Sequence, residues 1–300
     1  MEKINLFDGD LQINSISILC LFRDCSAYLD FFLPTMEKLE KLYNVQFKYF
    51  FCENNSKDDT RNKLKKFSKG RFCKLLLLEL EKDYIQNELS INLDRINTLL
   101  TLRNKLKDTF APFDTDFTIF IDSCIYFKET ILSDMFKCSP TANNIAMMTP
   151  YVIQIYPKET IINRPEFAHL KQQIEASPST LVNLDHYFDT YATINNDSIF
   201  MYPLCIFEKC NLCKPMRHQF EYKLVPENVS IVEVKSTFAG FSIIKTKIFN
   251  NLTVRWNTIC LNMSKHTSIC EHILFCSNVH AVSGGKIVIL QDTKDIFRTN

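Results

Sequence analysis

Phe117-Thr118-Ile119-Phe120-Ile121-Asp122-Ser123-Cys124-Ile125-Tyr126-Phe127 decides how this chain is read. β-Branched and aromatic residues run up to one carboxylate, and the apolar run resumes two residues later as Ile-Tyr-Phe. A run of this kind predicts a strand buried on both faces. A charge at its end is costly unless a divalent metal, an arginine or backbone N–H groups pair with it. In an open α/β sheet, ligands bind at the carboxyl ends of strands. Asp122 therefore marks a candidate active-site edge.

Working upstream, residues 15–22 predict a buried strand and 26–43 a helix, with Leu29, Phe32, Leu33, Met36 and Leu39 on one face. Residues 45–52 predict a second strand and 58–69 a second helix. Residues 73–80 predict a third strand, with a short helix as the alternative. Residues 91–110 carry Ile96, Leu99, Leu102, Leu106 and Phe110 on the stripe of an amphipathic helix. The order is βαβαβαβ, which predicts an α/β fold with a mostly parallel, Rossmann-like sheet and helices on both faces. Right-handed crossovers then bring Arg23-Asp24, Glu53-Asn54-Asn55-Ser56 and Asp122 to one rim.

Downstream of the quoted stretch, residues 145–160 and 186–236 mix short strands with polar loops. Residues 236–244 read as one strand, about 269–283 as a helix and 286–290 as a last strand. No internal repeat or linker divides the chain, so residues 1–300 read as a single domain with an elaborated C-terminal half.

Composition narrows the function. The 35 basic and 34 acidic residues nearly cancel, which gives no electrostatic case for nucleic acid or a charged membrane surface. No apolar run approaches the ~20 residues of a membrane span, and the first ten residues have no apolar core of a secretory signal. The expectation is a cytoplasmic protein with reduced thiols among its 12 cysteines. Cys210 and Cys213, with Cys205 and His218, offer four zinc-type ligands, but a second CxxC is missing, and buried free thiols are the rival reading.

Several motifs occur in an order that resembles the nucleotide-sugar glycosyltransferases of the GT-A fold. Leu21-Phe22-Arg23-Asp24 follows the first strand. Glu53-Asn54-Asn55-Ser56-Lys57-Asp58-Asp59-Thr60 looks like an E/D-N-x-S-x-D-x-T signature. Arg103-Asn104-Lys105 looks like an A-R-N segment, and Phe120-Ile121-Asp122-Ser123-Cys124 stands where the family has Asp-x-Asp. Tyr187-Phe188-Asp189-Thr190-Tyr191-Ala192, Phe238-Ala239-Gly240-Phe241 and Cys270-Glu271-His272-Ile273-Leu274-Phe275-Cys276 follow in order. The set is most similar to the fungal capsule-type α-1,3-mannosyltransferase group and its large-DNA-virus relatives, over roughly residues 15–290.

The resemblance implies a hexosyltransferase that moves a sugar from a UDP- or GDP-sugar to a glycan hydroxyl, in the cytoplasm or a viral factory. Residues of about 12–140 would bind the nucleotide-sugar and about 141–300 the acceptor. It implies donor contacts from Phe22, Arg23, Glu53, Asn55, Arg103, Asn104, Ile121, Asp122, Ser123 and Gly240. Glu271 and Asp189 would be catalytic or sugar-binding carboxylates, with Tyr191 beside Asp189. Mn²⁺ or Mg²⁺ would sit on Asp122, with Cys124 and His272, or His280, as further ligands.

The residues also carry plainer readings. Asp122 could cap the helix after Lys128, and Asp58 reads as the N-cap of the second helix. Arg103 could face solvent, and Gly240 could mark a β-bulge rather than a close approach to the donor. Cys124 departs from Asp-x-Asp, because hard cations prefer oxygen ligands. Two other functions stay open. One is a catalytically degenerate binding module. The other is a nucleotidyltransferase, which would need a Gly-rich phosphate loop where Leu21-Phe22-Arg23-Asp24-Cys25-Ser26 has no glycine.

Overall fold

The computed structural model describes residues 3–81, 93–162, 171–176, 178–187, 189, 192–198, 229–258, 270–293 and 296–299. Cys205, Cys210, Cys213, His218 and Tyr191 lie outside these residues.

A hairpin of β1 (Leu6–Asp8) and β2 (Leu11–Ile13) precedes the main alternation of β3 (Ser15–Phe22), α1 (Ser26–Leu42), β4 (Gln46–Asn54), α2 (Thr60–Ser68), β5 (Cys73–Leu78), α3 (Leu93–Phe110) and β6 (Phe117–Asp122). The chain continues through β7 (Ile125–Phe127), α4 (Ile131–Phe136), β8 (Ile145–Pro150), β9 (Ile153–Pro157), α5 (Lys158–Ile161), α6 (Lys171–Ala176), β10 (Leu181–Tyr187) and β11 (Ile194–Asn195). It ends with β12 (Ile231–Ser236), β13 (Phe241–Lys245), α7 (Thr246–Phe249), α8 (Glu271–Ser283), β14 (Lys286–Leu290) and β15 (Ile296–Thr299).

Among the described residues, nine strands form one sheet in the order β11-β12-β14-β8-β13-β6-β3-β4-β5. The pairings make β4, β5, β6, β8, β14 and β11 run with β3, and β13 and β12 against it. The sheet is therefore mostly parallel, as the alternation predicts, and strands of the C-terminal half extend it directly. Four strands in the order β10-β9-β15-β7 form a second, smaller sheet.

β4 shows why the helices sit on both faces. Its aromatic residues alternate between the two sides of the pleat. Phe51 meets Phe32 of α1 and Phe67 of α2, while Phe50 meets Phe110 of α3. Each fully buried Phe stabilises the fold by about 1.5–3 kcal/mol, so this alternation pins α1 and α2 to one face and α3 to the other. The chain steps from β3 to β4 to β5 in one direction, then returns past β3 to place β6 on its other side. The reversal makes the β3–β6 boundary a topological switch point, where the ends of neighbouring strands splay apart. Asp122 pairs in register with Leu21 at that boundary.

The segment 236–244, predicted as one strand, is two. β12 ends at Ser236 and β13 begins at Phe241. Between them Ala239 (φ +57°) and Gly240 (φ +65°) adopt the left-handed conformation, which no strand continues through. Among the described residues no helix is long and apolar enough to cross a membrane.

Candidate active site

Asp122 sits at the carboxyl end of β6, half-exposed, with its backbone N–H donating to Gly240 O at 2.8 Å. Its carboxylate lies between two guanidinium groups. Oδ1 is 3.8 Å from Arg103 Nη2 and Oδ2 is 3.7 Å from Arg298 Nη1. It does not cap a helix. The chain runs on into β7, and the next helix starts at Ile131 with no side-chain cap.

Arg103 interrupts the apolar stripe of α3 because it turns inward. Its side chain is 5% exposed and donates a short hydrogen bond to Glu271 Oε1. The guanidinium also lies 5.6 Å from the Phe120 ring and 5.4 Å from the Phe238 ring, distances at which the ring quadrupoles attract it. Glu271 opens α8, where a carboxylate is favoured by the helix dipole. His272 stacks on Phe238 with ring centroids 3.8 Å apart, and its Nδ1 accepts from Trp256 Nε1–H at 3.2 Å. Burial, followed by the nearby Arg103 charge, holds the His272 pKa well below its usual value.

Asp189 is buried, and its Oδ2 accepts the backbone N–H groups of Phe238 (3.0 Å) and Ala239 (2.6 Å). Burial raises its pKa to about 7, against the two backbone bonds that lower it. Its carboxylate therefore builds the 238–240 turn, which in turn holds Asp122. Gly240 needs its missing side chain there. A Cβ would come within 2.7 Å of Ile125 Cδ1 and 3.4 Å of Asp122 Oδ2. It marks a tight turn rather than a β-bulge.

The loops after β3 and β4 are tied together. Asp24 N–H donates to Ser56 Oγ (3.0 Å), and Lys57 N–H to Asp24 Oδ1 (2.7 Å). Arg23 lies 3.6 Å from Asp24. Glu53 is 1% exposed, and both its oxygens are engaged, by Ser56 N–H and Arg61 Nε–H. Asn55, at φ +52°, pairs its side chain with the backbone of Leu80. Asp58 serves two helices, accepting from Ser26 N–H (2.8 Å) and Thr60 N–H (3.0 Å). The residue at the N-cap position of α2 is Asp59, one place later than predicted.

Four of the expected donor contacts have side chains engaged within the fold itself. Phe22 packs its ring against Phe32 and Phe51, and Ile121 is 1% exposed, so both are core side chains. Residues before a strand end point into the sheet faces, not off its edge. Asn104, one helical step (about 100°) from Arg103, bonds the backbone of Trp256 in both directions. It lines an open groove with Leu100, Lys105, Asp108 and Arg255 that does not include Asp122. Glu53, as its bonds show, is spent on the loop itself. Ser123 remains half-exposed in the turn after Asp122, the one other expected contact there.

The described residues do not by themselves assemble a divalent-cation site. Among the described residues, no three His, Cys, Asp or Glu side chains are placed to hold one. Cys124 offers a soft sulfur where a hard cation prefers oxygen, and burial pushes its thiol pKa up. A neutral His272 that accepts at Nδ1 carries its proton on Nε2 and has no free lone pair. His280 lies eight residues further along α8, about 12 Å away by helical rise.

Sequence reasoning missed Arg298. It belongs to β15, which pairs with β7 so that Arg298 stands opposite Ile125. A four-residue strand near the far end of the chain carries no local sign of the partner it will choose.

No protein-family model matches the sequence, and no curated protein matches it. Among solved structures, the chain is similar to S. aureus TarS at TM-score 0.50 and 12% identity, over 95% of this chain and 37% of that one. The structure of TarS 1-349 gives 0.48 at the same identity, over 95% and 60%. TarS 1-349 in complex with UDP-GlcNAc gives 0.45, over 95% and 58%. The chain thus spans less than two thirds of the length of these proteins, and the likeness is one of fold.

Proposed function

We propose that this chain is a glycosyltransferase that moves a sugar from a nucleoside-diphosphate sugar to a hydroxyl of a glycan acceptor. The observation that carries the proposal is Asp122 at the topological switch point, set between Arg103 and Arg298. Switch-point crevices of open α/β sheets receive nucleotides, and guanidinium groups bind phosphates strongly. The ordered motifs from Leu21 to Cys276 and the fold likeness to TarS support the same reading.

In such a transfer the bond from the sugar C1 to the β-phosphate oxygen breaks, and its electron pair stays on the phosphate. The acceptor oxygen forms the new bond and gives up its proton to a carboxylate of the site or to water. Charge grows on the leaving diphosphate, so preorganised cationic groups lower the barrier. Glu271 would hold Arg103 at the floor of the site, and Asp189 would hold the turn that carries Gly240 against Asp122. The acceptor would enter from the C-terminal half.

The test is release of nucleoside diphosphate from a panel of UDP- and GDP-sugars, with and without oligosaccharide acceptors. Release that an acceptor accelerates supports the transferase. Binding of a nucleotide-sugar with no release on any acceptor favours a degenerate binding module, the reading that Cys124 in the Asp-x-Asp position keeps open.

A further inference from the structure

Asp122 is the place where a divalent cation is expected, yet the groups around it are cationic. Each carboxylate oxygen faces a guanidinium at 3.7–3.8 Å. These distances lie within ion-pair range and beyond hydrogen-bond range, so Asp122 meets both arginines through charge. The two are not equivalent. Arg103 is 5% exposed and its charge is already balanced by Glu271. Arg298 is 23% exposed, and its charge also bears on Cys124 and Asp189. The pairing of β15 with β7 anchors it beside the turn that follows Asp122. The neighbouring side chains add little for a hard cation: Cys124 offers a soft sulfur, and His272 Nδ1 is taken up by Trp256 Nε1–H.

We infer that Arg298, oriented by Asp122, meets the donor diphosphate in place of a divalent cation, so that donor binding is metal-independent. This rests on the glycosyltransferase reading. A guanidinium presents a planar fork of N–H donors that matches two phosphate oxygens at once. It therefore supplies what a cation would otherwise supply, positive charge and a fixed orientation for the leaving group, while Asp122 acts as its positioning residue. Arg103 contributes from below through the field it shares with Asp122.

The experiment is calorimetric titration of the full chain with UDP and with GDP, each in excess EDTA and in Mn²⁺. One of the two diphosphates is expected to bind with the same affinity in both. Arg298→Gln should weaken that binding by about ten- to a hundredfold, the range for a charged hydrogen-bond partner. Arg298→Lys should recover part of it. Saturation-transfer NMR with the matching nucleoside, uridine or guanosine, should be unchanged in Arg298→Gln, which a general folding defect would not allow. Asp122→Asn, which removes a metal ligand but keeps the shape, should retain most of the affinity. Binding that needs Mn²⁺, is lost in Asp122→Asn and is indifferent to Arg298→Gln would overturn the inference and leave the transferase reading standing. Binding of neither diphosphate under any condition would overturn the transferase reading itself.

Discussion

Arg103 of α3 and Glu271 of α8 meet as a buried ion pair across 168 residues of sequence, each side chain 5% exposed. The pair joins the helix that covers the first half of the sheet to the helix that covers the second. Removing one partner strands the other charge away from water. Arg103→Ala and Glu271→Ala should each cost about 3–5 kcal/mol of stability, whereas a paired Arg103→Met/Glu271→Leu replacement should restore most of it. Urea unfolding midpoints of the four proteins check this. If the double variant folds and loses nucleotide-sugar turnover, the pair serves the site as well as the fold.

Asp189 and His272 pull the stability of the folded state in opposite directions with pH. The Asp189 pKa rises from 3.8 to about 7 on folding, because burial outweighs its backbone bonds. The folded state then binds the extra proton, so this group adds stability as pH falls from about 7 towards 3.8. The His272 pKa moves the other way, well below 6.5. Below that value the unfolded state takes the proton, and stability is lost. Each contributes a slope of up to about 1.4 kcal/mol per pH unit. The two oppose each other in the parent chain below about pH 6.5. Asp189→Asn should therefore lose stability on acidification through that window, and His272→Gln should gain it. Thermal unfolding at half-unit pH steps checks both signs, and two flat profiles would refute the pair of shifts.

Gly240 links the turn to the carboxylate. At φ +65°, and with a Cβ only 2.7 Å from Ile125 Cδ1, Gly240→Ala combines backbone strain with a clash. It should destabilise by about 1–3 kcal/mol and displace Asp122. The expected signature is loss of nucleotide-sugar turnover beyond what the melting temperature explains, measured well below the transition.

Much of the first half was legible in the sequence because its contacts are local. β3 and β6 are largely apolar and β4 alternates before running apolar, and the spacing of Leu29, Phe32, Met36 and Leu39 is that of one helix face. The shared rim of Arg23-Asp24, Glu53 to Ser56 and Asp122 followed from element order, whereas the strand order that makes the switch point is set by tertiary pairing. The turn at 237–240 was hidden because Ala239 at φ +57° gives no composition signal, and Asp189, which supports it, lies 50 residues away. Arg298 was hidden for the same reason: register between β15 and β7 is set by tertiary packing. Arg103 was legible as an interruption of an apolar stripe, while Asn104, one helix position on, faces a different way and bonds the backbone of Trp256. Glu53 stands where the resemblance places a donor contact, yet its neighbours Ser56 and Arg61 claim both oxygens.

The most direct test of the central claim is a thermal-shift titration of the full chain with UDP- and GDP-sugars, beside an Asp122→Ala/Arg298→Ala double variant. A ligand bound only by the native state adds about 2.7 kcal/mol at a hundredfold excess over its Kd. The expected result is a rise in melting temperature with one nucleotide-sugar for the parent chain and none for the double variant. A parent chain that unfolds cooperatively and is shifted by no nucleotide-sugar, or a double variant shifted as much as the parent, would contradict the assignment of this rim as a donor site.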